Sequence, residues 1–196
     1  MTAEQAKVKK RKVAWGITGG GDRIAEFIEA MKQVKKEHEA TVDIHVYLSK
    51  AAETVLKFYS LETTLRQSFE KVQVEVNSNA PFLAAWMQNH KYEFLLIAPA
   101  TSNSVAKIAN GIGDTMITNA AIMSLKAFVP VYVVPTDYRE GVVYTKLPNG
   151  KEMKLRVRKE EVEQVKKLES MEDVHVLEGP QKIPDAFQEA LKQTIG

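Results

Sequence analysis

The sequence predicts a three-layer α/β fold: a parallel β-sheet with helices on both faces, followed by a C-terminal hairpin and helix. Three observations carry that expectation. Short apolar runs alternate with stretches of helical periodicity through most of the chain, the pattern of a doubly covered parallel sheet. Two of those runs, residues 94–98 and 130–134, are continuously apolar, as strands buried on both faces require. Pro148-Asn149-Gly150 then separates two alternating segments, a strong hairpin signal.

The elements follow in order. Residues 13–17 form the first strand, which ends in Thr18-Gly19-Gly20-Gly21-Asp22. Ile24, Phe27, Ile28, Met31 and Val34 recur at three- and four-residue spacing and predict an amphipathic helix. Val42, Ile44, Val46 and Leu48 alternate with Asp43, His45 and Tyr47, a second strand whose His45 falls on the exposed face, with Ser49 directly after it. A helix over 51–59, a strand over 72–76 and a short helix over 82–87 come next. Pro99 is expected to stop the strand at 94–98 and Pro135 the strand at 130–134. Between them, helices over 103–110 and 114–125 are parted by a glycine break at 111–113.

From Tyr138 the pattern changes. Residues 142–146 and 153–157 flank the hairpin turn, 160–168 read as a charged helix, 174–177 as one more strand, and 184–194 as a closing helix. The closing helix turns Ala186, Phe187, Ala190 and Leu191 inward, and the expectation is a projecting hairpin with a helix packed at the sheet edge. The chain thus reads as a basic, flexible stretch at residues 1–11 and one domain over 12–196. Within that domain, a core at 12–138 precedes an extension at 139–196.

Composition narrows the function. The chain of 196 residues has no cysteine, which excludes disulfides, thiol nucleophiles and Cys-ligated iron–sulfur clusters within it. A net charge of +2 is too balanced to imply nucleic acid. No apolar run approaches the roughly 20 residues of a membrane span, and the basic N-terminus lacks the apolar core of a secretory signal, so no membrane association and a cytoplasmic location are expected. Lys7 to Lys12 and Arg156, Arg158 and Lys159 are local basic runs, solvated faces or docking sites for an acidic partner. His38, His45, His90 and His175 show no metal-ligand spacing, and no metal is expected. Trp15 reads as core or an oligomer contact, and Trp86 as packing for the short helix.

Ligands of parallel sheets sit beyond the carboxyl ends of the strands, which directs attention to residues 18–22, 49–51 and 98–104. Gly19-Gly20-Gly21 between a strand and a helix lets a phosphate approach the backbone at a helix N-terminus. A dinucleotide fingerprint starting there would want glycine or alanine where Ile24 stands, and an acidic residue where Ser49-Lys50 ends the second strand. A P-loop is absent. A mononucleotide phosphate held by Thr18, Gly19, Gly20 and Ser49 fits best, with Lys50 either a phosphate partner or a surface lysine. The most specific stretch runs from Ala98-Pro99-Ala100-Thr101-Ser102-Asn103 through Ala109-Asn110-Gly111-Ile112-Gly113-Asp114. Its small and hydroxylated residues let a flat ring lie against the backbone while donors reach the ring's polar edge.

This stretch, with Gly16-Ile17-Thr18-Gly19 and Ser49, resembles the flavoprotein superfamily that includes the homo-oligomeric flavin-containing cysteine decarboxylases. The resemblance covers roughly residues 12–137 and is specific over 97–118. It implies a flavodoxin-like (Rossmann-like) fold holding FMN, with Gly19, Gly20 and Ser49 on the phosphate. Ala100, Thr101, Ser102 and Asn103 would lie along the isoalloxazine, in a homo-oligomer of trimers or multiples of trimers. Two features depart from the decarboxylases: Ala80 stands at the place of their essential histidine, and Pro135-Thr136-Asp137-Tyr138 replaces their Pro-Ala-Met-Asn. That ending and the extended C-terminal part are similar to the archaeal branch, the archaeoflavoproteins and flavin-dependent dihydromethanopterin reductases. The branch implies electrons taken from a ferredoxin-like donor and passed on, possible substrates including a pterin, with Asp137 and Tyr138 as candidate proton sources by position. A decarboxylase or prenyltransferase relative, and a non-enzymatic FMN-binding subunit, are the alternatives.

Overall fold

The computed structural model describes residues 10–193. In chain order these form β1 (Arg11–Ile17), α1 (Ile24–Glu37), β2 (Val42–Leu48), α2 (Lys50–Phe58), α3 (Glu62–Ser68), β3 (Lys71–Val74), α4 (Leu83–Gln88) and β4 (Leu95–Ala100). Then come α5 (Ser102–Ala109), α6 (Met116–Lys126), β5 (Val131–Pro135), β6 (Gly141–Lys146), β7 (Glu152–Val157), α7 (Lys159–Glu169), β8 (Val174–Val176) and α8 (Ile183–Gln193). The main sheet has the order β3-β2-β1-β4-β5-β8, and every pairing in it is parallel. This is the Rossmann order of a flavodoxin-like three-layer architecture, as the sequence predicts. Chain direction across the sheet reverses between β1 and β4, which opens a crevice at their carboxyl ends.

Alternation along each strand sends side chains into two cores. Val13, Trp15 and Ile17 of β1 pack with Phe27, Met31 and Leu56 beneath α1 and α2, and Phe187 of α8 joins the same cluster. Ala14, on the opposite face, packs with Leu83, Met87, Val105, Ile117 and Leu168 beneath α4 to α7. Trp15 is fully buried, and its indole N–H donates to the Ala98 carbonyl at 2.7 Å, so it is a core residue. Each such large side chain contributes roughly 1.5–3 kcal/mol by leaving water.

Several boundaries differ from the expected ones for physical reasons. Pro99 does not stop β4: the strand continues to Ala100 through a register shift, with the Ala98–Pro99 peptide in cis, and Ala100 pairs with Pro135. Arg11 belongs to β1 rather than to a tail, tied by its guanidinium to Glu93 at 3.0 Å and to the Leu191 carbonyl at 2.7 Å. The part of the expected basic stretch at residues 1–9, and Thr194 of the expected last helix, lie outside the described residues. β8 completes the main sheet beside β5, and α8 packs on α1. The hairpin β6–β7 is there as expected and forms its own two-stranded sheet. Its turn closes through Leu147 N–H to the Lys151 carbonyl at 2.9 Å, with Gly150 at φ 82°, a left-handed conformation that favours glycine. Among the described residues, no helix is long and apolar enough to cross a membrane.

Candidate functional site

The loops after β1, β2, β4 and β5 converge at the strand reversal, and Thr18 is the strut between the first and third of them. It is buried; its N–H and hydroxyl both donate to the Pro99 carbonyl, at 3.1 and 2.9 Å. Its Oγ1 accepts the Thr101 N–H at 2.8 Å. The glycines bring the other loops in. A Cβ on Gly20 would lie 2.7 Å from Thr136 Cγ2, and one on Gly19 would lie 2.8 Å from the Ala51 Cβ. These contacts leave no space for a methyl group, so the glycines serve close loop packing as well as backbone exposure.

At the start of α2, Ser49 is the N-cap and its Oγ accepts the Ala52 N–H at 3.0 Å, which leaves its own proton to donate. No backbone hydrogen bond among the described residues engages the N–H of Gly19 or Ala51. Free donors at a helix N-terminus make an anion seat. Lys50 is exposed, and its backbone N–H donates to the Glu75 carboxylate at 3.3 Å. Glu75 also accepts the Met116 N–H at 2.8 Å, so one carboxylate spans the N-termini of α2 and α6. Sequence reasoning missed Glu75, because only the folded sheet brings residues 50, 75 and 116 together.

Ala100 is buried at the end of β4, and Thr101 caps α5 by accepting the Ser104 N–H. Ser102 opens the helix half-buried, and Asn103 is exposed beside it. The Ser102 hydroxyl donates to Oδ2 of Asp137, as does the Thr136 hydroxyl at 2.9 Å, so Asp137 is tied into the α5 N-terminus. Tyr138 faces the opposite way along the loop: its hydroxyl donates to Glu169 at 3.3 Å, and burial, with the Glu169 charge, pushes its phenol up. On that side a crevice of about 440 Å³ opens under the hairpin, bordered by Asp22, Arg23, Thr136, Tyr138 and Val143. Ala80, half-buried, contributes its carbonyl to the N–H groups of Val76 and Asn77 and bears no proton-transferring group.

The structure corrects His45. It is 7% exposed, not on a solvent face, because Tyr92 before β4 and Asp43 give its ring nitrogens partners at 2.8 Å each. Tyr92 continues the chain to Tyr47 at 2.5 Å, and Lys71 donates to Asp43 at 2.7 Å. Burial holds His45 below the usual imidazole range and pushes the Tyr92 phenol up to about 12. The alternation of β2 misled here, since both faces of a parallel strand are covered. Of the other histidines, His90 and His175 are exposed and His38 is half-buried against Phe187. Among the described residues no cluster of His, Asp and Glu has the makings of a metal site.

Residues 1–191 match the family model described as Flavoprotein. The chain belongs to the flavoprotein family. An uncharacterized protein of Methanocaldococcus jannaschii is 48% identical to this flavoprotein, over 88% of this chain and 91% of its own. The dihydromethanopterin reductase (acceptor) of the same organism is 30% identical over 90% of this chain and 95% of its own. DmrB of Burkholderia xenovorans, solved with FMN and described as a cubic protein cage for redox transfer, superposes with a TM-score of 0.79. It is 31% identical and covers 95% of this chain and 98% of its own.

Proposed function

We propose that this flavoprotein is an oxidoreductase that holds FMN across the strand reversal, takes electrons from a low-potential ferredoxin-like donor and delivers them to a pterin of the dihydromethanopterin class. The observation that carries the reading is the convergence of four loops at the carboxyl ends of β1, β2, β4 and β5. They bring free N–H groups at Gly19 and Ala51, the Ser49 hydroxyl and the hydroxyl-rich start of α5 to one end of the sheet. The donor set fits the group: a phosphate is met by a helix N-terminus, and Ala100, Thr101, Ser102 and Asn103 offer small apolar and hydrogen-bonding surface to a flat ring. FMN, when bound, supplies the capacity to store two electrons. The protein's part is to fix the ring, tune it through donors at its edge and limit water. Thr18 does this indirectly, as a strut that keeps the loops at fixed spacing.

Reducing a pterin C=N bond consumes two electrons and two protons, and Tyr138, which borders the crevice under the hairpin, is the proposed proton source. The FMN-bound relative and the reductase of M. jannaschii, both matching nearly all of this chain, support the redox reading. The cubic cage described for DmrB supports a homo-oligomer, for which trimers or multiples of trimers are proposed. The experiment begins with the absorption spectrum of the purified protein and the mass of its released cofactor. It continues with anaerobic reduction by reduced ferredoxin and reoxidation by a dihydropterin. A colourless protein that cannot be reconstituted with FMN overturns the reading; a flavin that ferredoxin reduces and dihydropterin reoxidises bears it out.

A further inference from the structure

We infer that Asp137 is the specificity-determining residue of the acceptor site, and that it selects substrates carrying an exocyclic amino group on a pyrimidinone edge. The inference rests on the pterin reading above and adds the group that recognises the pterin. Asp137 is half-buried at the strand reversal, in the loop after β5. Its Oδ2 accepts two hydroxyl protons, from Ser102 and from Thr136, so that oxygen is filled as an acceptor. No hydrogen bond among the described residues uses Oδ1. The side chain is thus fixed in direction by two neighbours while one oxygen keeps its full accepting capacity.

An acceptor held in this way takes an N–H and turns away an oxygen. The 2-amino group and N3–H of a pterin stand side by side as donors, which a carboxylate oxygen meets favourably. The pyrimidine edge of a flavin presents its N3–H between two carbonyls, which a carboxylate opposes, so Asp137 suits the acceptor better than the cofactor. It also disfavours carboxylate substrates, because two anions at hydrogen-bond distance repel.

The test compares two ligands on the FMN-loaded protein: a 7,8-dihydropterin and its 2-oxo counterpart, a dihydrolumazine, titrated anaerobically while flavin fluorescence is followed. The wild type is expected to prefer the amino compound by about tenfold or more, the scale of one charge-assisted hydrogen bond. Asp137→Ala is expected to erase that preference while retaining flavin absorbance, and Asp137→Asn, which keeps one uncharged acceptor, to fall between. Equal affinity of the wild type for the two compounds overturns the inference without recourse to any variant, as does a preference that survives in Asp137→Ala. Binding of neither compound by a protein whose flavin still cycles with dyes overturns the pterin reading itself, and the assignment with it.

Discussion

Thr18 shows how much can depend on one hydroxyl. It donates to one carbonyl of the β4 loop and accepts an N–H from the same loop, so β1 and β4 are locked together just where they diverge. Thr18→Val keeps the shape and removes both bonds, leaving the Thr101 N–H without a partner. The expected loss is about 1–3 kcal/mol of stability, read by chemical denaturation, together with weaker FMN retention. Glu75 works in the opposite sense. Its carboxylate sits on the N–H of Lys50, at the helix end where a phosphate is proposed to bind. Glu75→Gln keeps an acceptor for Met116 and removes the charge. FMN is then expected to bind about two- to fivefold more tightly, the size of one charge at a helix terminus, as measured by fluorescence titration. Neither role was legible in the sequence. Thr18 reads there as one more phosphate donor, and the partners of Glu75 lie 25 and 41 positions away.

Elements were legible where burial alone dictates the pattern. β4 and β5 are apolar at successive positions because helices cover both their faces, and α1 repeats its buried residues at helical spacing. α3 escaped because Leu65 is the one residue it buries, among Glu62, Thr63, Thr64, Arg66 and Gln67. β2 misled for a different reason: its second face is packed with the polar series Asp43, His45 and Tyr47, which hydrogen bonds make compatible with burial. That series gives the element a pH response. Burial lowers the His45 pKa in the folded chain below its ordinary value of 6.5, so folding favours the neutral ring. Asp43 and Lys71 face the same ring nitrogen, and Lys12 adds positive charge nearby. Burial pushes the Asp43 carboxyl up, but hydrogen bonds from Lys71 and His45 override this and leave it below its ordinary range. The contribution of His45 is complete above about pH 6.5 and is lost as pH falls through its folded value; that of Asp43 goes at lower pH. Urea midpoints are expected to fall below pH 6.5 in the wild type, and His45→Gln is expected to flatten that part of the profile.

For the whole molecule the charge balance near neutrality conceals a local excess. The register of β6 and β7 places Val142, Tyr144 and Lys146 opposite Arg156, Lys154 and Glu152 on the outer face of the hairpin, with Lys154 above the Tyr144 ring. Tyr144 is 63% exposed there, and Arg158 is already paired with Glu161. Arg156 is thus the member of the basic run without an ion pair among the described residues, and with Lys154 beside it on the same face it is the part best placed to meet an acidic electron donor. Reversing both to Glu is expected to slow flavin reduction by ferredoxin several-fold at low salt, with the difference fading as ionic strength rises. Reduction by a neutral dye is expected to be unchanged. The sequence identified the basic run, but only the folded chain separates Arg156 from Arg158 and Lys159, which are paired with Glu161 and Glu163.

The return of β8 to the main sheet makes the hairpin a removable module. Gly141 and Val157 face each other across the first rung of the β6–β7 ladder, so everything between them leaves and re-enters the body at nearly one point. The sheet is completed by β8 and the first core by α8, both beyond the hairpin. A lineage can therefore lengthen, shorten or recharge this arm without renegotiating the fold. The arm proposed to meet the electron donor can thus change while the strand ends proposed to hold the cofactor stay the same.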